Sequence, residues 1–120
     1  MSEALTIETR HEPDCTIVTV AGEIDMVTVT GLRERLFELA ATSRPLVADL
    51  DRVGFIDSTG LGVLVGAANR AASCGGTFRV VCAQRNIWQL FRLSGLNRRI
   101  PLTHTLDEAR QALAAGTAPS

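Results

Sequence analysis

The sequence contains no lysine and no tyrosine, and all 12 of its basic residues are arginines. Without a lysine amine, a Schiff-base mechanism and a P-loop nucleotide site are both excluded. Long apolar runs are also missing, since no stretch approaches the roughly 18 to 20 residues that a membrane-spanning helix needs. These absences indicate a small globular protein that does not use lysine chemistry.

Cysteine is scarce and scattered, at Cys15, Cys74 and Cys82. An odd number without C-x-x-C spacing predicts free thiols, mostly buried, rather than disulfides or a zinc site. The net charge of −1 provides no general attraction to nucleic acid or to an anionic membrane. The first residues, Met1–Ala4, lack the basic segment and apolar core of a signal peptide, so we expect a cytoplasmic protein.

Apolar residues make up 46% of the 120 residues, which is enough for one domain with its own core. Alternating apolar and polar residues near the amino terminus predict two strands in a hairpin, and helical spacing predicts a surface helix over 29–39. Strands and helices then alternate along the chain. The third predicted strand has two pieces, 46–50 and 53–56, and further strands are predicted at 77–82 and 100–102. The other predicted helices are 61–72, 86–93 and 105–113.

Strands that alternate with helices imply βαβ crossovers. We therefore predict a single α/β domain with a mixed, mostly parallel sheet of about five strands and helices packed on it. Pro101 marks its strand as an edge strand, because proline cannot donate to a strand ladder. The predicted core spans 5–113, and the small residues of 114–120 are expected to form a frayed tail.

The segment Phe55–Gly62, FIDSTGLG, lies where the third predicted strand gives way to the second helix. It places the carboxylate of Asp57 beside the hydroxyl of Ser58. A helix start has free N–H groups and a positive dipole end, so it accommodates an anion. A serine at this position is a helix cap, a nucleophile or a phosphate acceptor.

Spacing counts against two enzymatic interpretations of this segment. A nucleophile elbow reads G-x-S-x-G, but Ile56 stands where the first glycine belongs, and His11 and His104 are the only histidines available as a base. The G-x-G-x-x-x-G run that begins at Gly60 is one residue longer than a dinucleotide fingerprint. On residue types alone, a structural helix cap remains as good an interpretation as a functional serine.

The complete pattern resembles a known family. Gly22–Asp25 (GEID), Asp57–Gly62 (DSTGLG) and Leu90–Leu96 (LFRLSGL) follow one another as in the bacterial anti-sigma factor antagonists, the STAS-domain proteins of partner-switching pathways. The resemblance extends from about Leu5 to Leu113. DSTGLG is its most specific part, LFRLSGL supports it, and GEID alone would be weak.

The resemblance implies a binding module that is a kinase substrate and has no catalytic residues, cofactor or metal of its own. In that family the serine matching Ser58 is phosphorylated by the anti-sigma factor, which is a serine kinase. The unphosphorylated antagonist binds this kinase and frees the sigma factor, whereas the phosphorylated form cannot bind until a serine phosphatase removes the phosphate. Thr59 is the secondary candidate for phosphorylation. The implied partner surface comprises Asp25, Asp57, Ser58, Thr59, Gly60, Leu61 and Gly62.

Other functions of the same fold stay open at the sequence level. They are a scaffold of the stressosome type, a domain that binds a small ligand such as a nucleotide or lipid without phosphorylation, and the regulatory part of an anion transporter. The missing membrane segments count against the last of these.

Three further features have a structural and a functional interpretation. Asp49 and Asp51 could coordinate a cation together with Asp57, but solvated carboxylates at a strand end are the favoured interpretation. Trp88 is the only tryptophan, and we interpret it as a partly buried packing residue rather than a partner anchor. The adjacent arginines 98 and 99 are too few for a nucleic-acid patch.

Overall fold

A computed structural model describes residues 5–115 of the chain. Five strands and four α-helices alternate as the sequence predicts, with one short 3₁₀ helix that it does not. The strands are β1 Thr6–His11, β2 Thr16–Ile24, β3 Leu46–Ile56, β4 Phe78–Val81 and β5 Leu102–Thr103, and the helices are α1 Val29–Ala40, α2 Ser58–Ser73, α3 Arg85–Ser94 and α4 Leu106–Ala114, with the 3₁₀ helix at Leu96–Arg98.

The five strands form one mixed sheet in the order β1-β2-β3-β4-β5. β1 and β2 are antiparallel, and every other neighbouring pair is parallel. The fold class is therefore the predicted one. Each parallel pair is joined by a crossover that contains a helix, and such crossovers place helices on the faces of the sheet.

Helices α1, α2 and α3 cover one face of the sheet and enclose the main core. Alternate strand residues such as Val18, Val20 and Ala48 point into it and are fully buried. Helix α4 covers part of the opposite face, where Ala109 packs on a second, smaller apolar cluster. The remainder of this opposite face carries polar side chains from β1, β2 and β3, and we call it the open face; its lining residues are Thr6, Glu8, Arg10, Thr19, Ala21, Asp49 and Arg52.

Several predicted boundaries differ from the structure; α2, for example, begins at Ser58 rather than at residue 61. β3 is a single strand of 11 residues rather than two pieces, because Asp49 and Arg52 lie on the open face, where polar side chains remain in contact with water. α4 includes Ala114, the first residue of the predicted tail. The rest of that tail from 116 to 120 lies outside the described residues. The predicted edge strand is confirmed, although it begins one residue after Pro101.

Glycines follow the ends of two helices. α3 ends at Gly95, which adopts a left-handed conformation with φ of 79°. α2 ends before Gly75, which has the same φ, and the Gly76 N–H donates to the carbonyl of Ala71 at 2.8 Å. Glycine adopts this conformation without the steric cost that other residues incur.

Candidate functional site

The site lies at the carboxyl ends of the neighbouring strands β2 and β3. Ile24 and Ile56 are paired in the ladder, so Asp25 and Asp57 occupy the next position on each strand. The Asp57 N–H donates to the carbonyl of Ile24 at 3.1 Å. The start of α2 is thus attached to the end of β2, and the two predicted acidic residues lie side by side.

Asp57 is the N-cap of α2. Its backbone is extended, and its Oδ1 accepts a hydrogen bond from the Gly60 N–H at 3.1 Å. Its carbonyl accepts from the Leu61 N–H at 3.0 Å. From the sequence alone, either Asp57 or Ser58 could cap this helix. Asp57 is the cap, and the hydroxyl of Ser58 takes no part in capping.

Ser58 is the first residue of α2 and is exposed to solvent. Within residues 5–115, its hydroxyl has no hydrogen-bond partner, and the N–H groups of Ser58 and Thr59 have no acceptor. Thr59 is half-buried. The site therefore presents one free hydroxyl next to two free backbone donors at the positive end of a 16-residue helix.

The glycines of α2 differ in what surrounds them. A Cβ on Gly60 would lie 2.6 Å from Ile24 Cγ2 and 2.7 Å from Ile56 Cγ1, so only glycine lets the first turn of α2 pack against both strands. A Cβ on Gly66 would lie 2.7 Å from the ring of Phe37 on α1. A Cβ on Gly62, one turn after Ser58, would meet nothing within 4 Å. Gly62 thus has no packing role within the described chain.

Asp25 has a structural role that the sequence did not reveal. Its Oδ1 accepts hydrogen bonds from the N–H groups of Val27 at 2.9 Å and Thr28 at 3.0 Å, and its carbonyl accepts from the Val29 N–H. These donors hold the pKa of the Asp25 carboxyl below its ordinary value, with the Thr28 N–H contributing most. Asp25 therefore fixes the loop that leads into α1.

Exposed apolar side chains surround this end of the sheet. Met26 and Val27 follow Asp25 directly, and Phe55 lies on β3 three residues before Ser58. Their exposed fractions are 75%, 76% and 49%. We call these three residues the apolar rim. Sequence reasoning missed it because a short apolar run after a strand also fits a buried turn.

Asp49, Asp51 and Asp57, the carboxylates considered as cation ligands, each accept a hydrogen bond from a different backbone N–H. Asp49 Oδ1 accepts from the Asp51 N–H at 3.0 Å, and Asp51 Oδ1 accepts from the Ala83 N–H at 2.6 Å. Asp57 is engaged by Gly60, as described above. Across residues 5–115, no group of three or more histidine, cysteine, aspartate or glutamate side chains is arranged to hold a metal ion.

Trp88 and the two histidines make their contacts with residues outside the site. Trp88 is half-buried, stacks on His104 with a centroid distance of 4.1 Å, and donates its Nε1–H to the carbonyl of Cys82. Trp88 is thus partly buried and packed, as predicted. His11 hydrogen-bonds Thr16 at the amino end of β2, whereas Ser58 follows the carboxyl end of the neighbouring strand β3.

The three cysteines are free thiols, as predicted. Cys15 and Cys82 are buried, and burial is the main cause that raises the pKa of each thiol above its ordinary value. Cys74 is half-buried at the end of α2. A raised pKa keeps the two buried thiols protonated and unreactive, which fits core residues.

A family model for the STAS domain matches residues 6–109. The chain belongs to the STAS domain family. Within the described residues, no helix is both long and apolar enough to cross a membrane.

Anti-sigma factor antagonists are found both among the curated relatives and among the solved structures that match. The chain is 31% identical over 99 residues to an anti-sigma-B factor antagonist of Bacillus subtilis, which covers 82% of this chain and 91% of that protein. It is 33% identical to the crystal structure of an anti-sigma factor antagonist from Mycobacterium paratuberculosis, with a TM-score of 0.85 and coverage of 95% and 99%.

The fold also matches the Bacillus anti-sigma factor antagonist SpoIIAA in its unphosphorylated form, with a TM-score of 0.74, and in its phosphorylated form, with a TM-score of 0.69. The match covers 94% and 90% of this chain and 99% of SpoIIAA in both forms. Both identities are 18%, so this match describes the fold alone.

Proposed function

We propose that this protein is a cytoplasmic anti-sigma factor antagonist controlled by phosphorylation of Ser58. The unphosphorylated protein binds an anti-sigma factor that is also a serine kinase, and the bound sigma factor is released. Phosphorylation of Ser58 ends this binding, and a serine phosphatase restores it. The protein itself is not an enzyme, and the Mg-ATP that the reaction consumes belongs to the kinase.

One observation carries the proposal: Ser58 is an exposed helix-start serine whose hydroxyl has no partner within residues 5–115. Asp57 already caps the helix, so Ser58 can be modified without removing a hydrogen bond from the fold. A kinase requires such a hydroxyl at the surface. The relatives named as anti-sigma factor antagonists support the same role.

The fold is suited to tolerate the phosphate. A phosphoserine adds about −1.5 to −2 charges. At the start of α2 these charges face the free N–H groups of Ser58 and Thr59 and the positive helix end, an interaction worth on the order of 0.3–1 kcal/mol. The carboxylates of Asp57 and Asp25 oppose it by a similar amount. These opposing effects nearly cancel, so we expect the switch to act on partner binding rather than by unfolding the domain.

The apolar rim explains how a phosphate would act on binding. Met26, Val27 and Phe55 are exposed apolar side chains at the same end of the sheet as the Ser58 hydroxyl, and exposed apolar groups of this kind favour a protein contact. A partner that covers this rim must also remove water from Ser58. A dianion at that position would then be buried in the interface, which costs several kcal/mol of binding free energy, or more than a hundredfold in affinity.

The test is to incubate the protein with the candidate anti-sigma serine kinases and ATP, and to map the phosphate by mass spectrometry. We expect one phosphate on Ser58, absent from Ser58→Ala and retained in the matched control Thr59→Ala. A scaffold would instead keep its partner when phosphorylated. The proposal fails if no kinase modifies Ser58 and no anti-sigma factor binds the unmodified protein.

A further inference from the structure

The two edges of the sheet are protected to very different degrees. β5 has only two residues, follows Pro101 and leads directly into α4. These are common ways to prevent an edge strand from pairing with another chain. β1 has six residues, Thr6–His11, contains no proline and pairs with β2 without a register shift. Its outer edge is the one long strand edge left unpaired within the described chain.

The side chains of β1 alternate between the two faces of the sheet. Thr6, Glu8 and Arg10 line the open face and are exposed. Ile7 and Thr9 point to the side of α1, where Ile7 packs against the main core and Thr9 accepts a hydrogen bond from Arg35. A strand added at this edge would therefore meet a glutamate and an arginine on one face and smaller side chains on the other.

Symmetry and charge together select one way for two copies of β1 to pair. In an antiparallel pair related by a two-fold axis, opposite residues must lie on the same face, so the axis passes through a residue position. An axis at Glu8 places the two Glu8 side chains opposite each other, and an axis at Arg10 places the two Arg10 side chains opposite each other. Only an axis at Thr9 places each Glu8 opposite the Arg10 of the second copy.

We propose that this protein self-associates through β1, with two copies joined antiparallel about Thr9 into one ten-stranded sheet. Main-chain hydrogen bonds between the two edges hold the strands together, and two Glu8–Arg10 pairs across the interface fix the register. Arg10 has a neighbouring carboxylate in its own chain, Glu12, with Arg10 Nε 3.4 Å from Glu12 Oε1. Its side chain remains 60% exposed and thus accessible to a second copy.

The geometry also limits the strength of this contact. A single pair of short strands buries less than a standard interface, so we expect a weak dimer with a Kd on the order of 100 μM. The two Arg35 side chains, each bound to Thr9, approach each other across the axis and weaken the contact further. Ser58 follows β3, two strands away from the free edge, so the dimer leaves the phosphorylation site accessible.

Charge exchange tests the register. Sedimentation of the full chain over a concentration series up to about 1 mM should show a monomer–dimer equilibrium for the native protein. Glu8→Arg and Arg10→Glu each turn two unlike pairs into like pairs, so each should raise the dimer Kd at least about tenfold. The double variant Glu8→Arg/Arg10→Glu restores the unlike pairs and should recover the native Kd. A purely monomeric native protein, or a double variant as weak as the single ones, would overturn the proposal.

Cross-linking provides an independent measurement. In this register the two Thr9 Cα atoms lie roughly 4.5–5.5 Å apart, within the range of a disulfide. Thr9→Cys in a Cys74→Ala background should therefore cross-link under mild oxidation. Thr6→Cys in the same background, whose two copies lie at opposite ends of the paired strands, should not. Equal cross-linking of both variants would contradict the register. The sedimentation and cross-linking results do not depend on whether Ser58 is phosphorylated, because the phosphorylation of Ser58 is tested separately on the monomer.

Discussion

Two neighbours of Ser58 hold its hydroxyl at the protein surface. Asp57 takes the role of helix cap, and Gly60 lets the first turn of α2 lie directly against Ile24 and Ile56. The sequence predicted the helix start and its acidic residue, because caps follow from residue type. It could not distinguish Gly60 from Gly62, because their difference depends on which strands pack against the helix.

The two glycines form a matched pair for a stability measurement. Gly60→Ala forces a Cβ to within 2.7 Å of two buried isoleucines, so it should lower the free energy of unfolding by roughly 1–3 kcal/mol. Gly62→Ala meets nothing within 4 Å and should raise it by about 0.5–1 kcal/mol, because alanine favours the helix. Urea denaturation followed by circular dichroism measures both. Equal effects would show that Gly60 does not lie in close contact with the strands.

At the scale of the elements, apolar periodicity predicted α1 and α3 to within one residue of their ends. Each helix buries one regular stripe of apolar residues, so the pattern determines its extent. The 3₁₀ helix at Leu96–Arg98 was not predicted, because three residues are too few to show a period. β3 was predicted in two pieces, since the sequence does not reveal that α4 leaves the part of the face around Asp49 and Arg52 uncovered.

α4 begins with a capping box. Thr105 accepts from the Glu108 N–H at 3.1 Å, and the Glu108 carboxylate accepts from the Thr105 N–H at 3.1 Å. α4 alone covers the small cluster around Ala109. Thr105→Ala should therefore lower the free energy of unfolding by about 1 kcal/mol. Thr105→Ser, which keeps the hydroxyl, should leave it nearly unchanged in the same urea titration.

The loop between β2 and α1 provides a test of the apolar rim. Met26→Asp places a charge on this exposed surface and should weaken binding of the anti-sigma factor at least about tenfold without changing thermal stability. Ala41→Asp, an exposed position at the opposite end of α1, serves as the matched control. Isothermal titration calorimetry measures both affinities. Equal affinities of the two variants would show that the partner does not cover the rim.

At the scale of the whole molecule, one ion pair joins the two ends of the described chain. Arg110 on α4 donates from Nε and Nη2 to the two carboxylate oxygens of Asp14 in the β1–β2 turn, at 3.0 and 2.9 Å. The hydrogen bond from Arg110 is the main cause that lowers the pKa of Asp14. Sequence reasoning did not predict this pair, because its partners are 96 residues apart.

These lowered pKa values determine how stability depends on pH. Asp14 and Asp25 bind protons less readily in the folded state than the ordinary value of about 3.9. Their contribution is therefore present above that value and is lost as the pH falls through their lower folded pKa values. The free energy of unfolding should decrease from pH 5 to pH 2.5. Asp14→Asn and Asp25→Asn should each make this decrease shallower. If a variant shows the same pH dependence as the native protein, the carboxylate that it replaces does not contribute to the decrease.

The central claim concerns the coupling between Ser58 and partner binding. The most direct measurement is the Kd of the anti-sigma factor for the unmodified protein and for the protein phosphorylated on Ser58, with the amide spectrum of each form recorded in parallel. We predict that the phosphate raises Kd more than a hundredfold and that amide shifts remain confined to the start of α2 and the loops beside it. An unchanged Kd, or a loss of binding with shifts throughout the domain, would contradict the account.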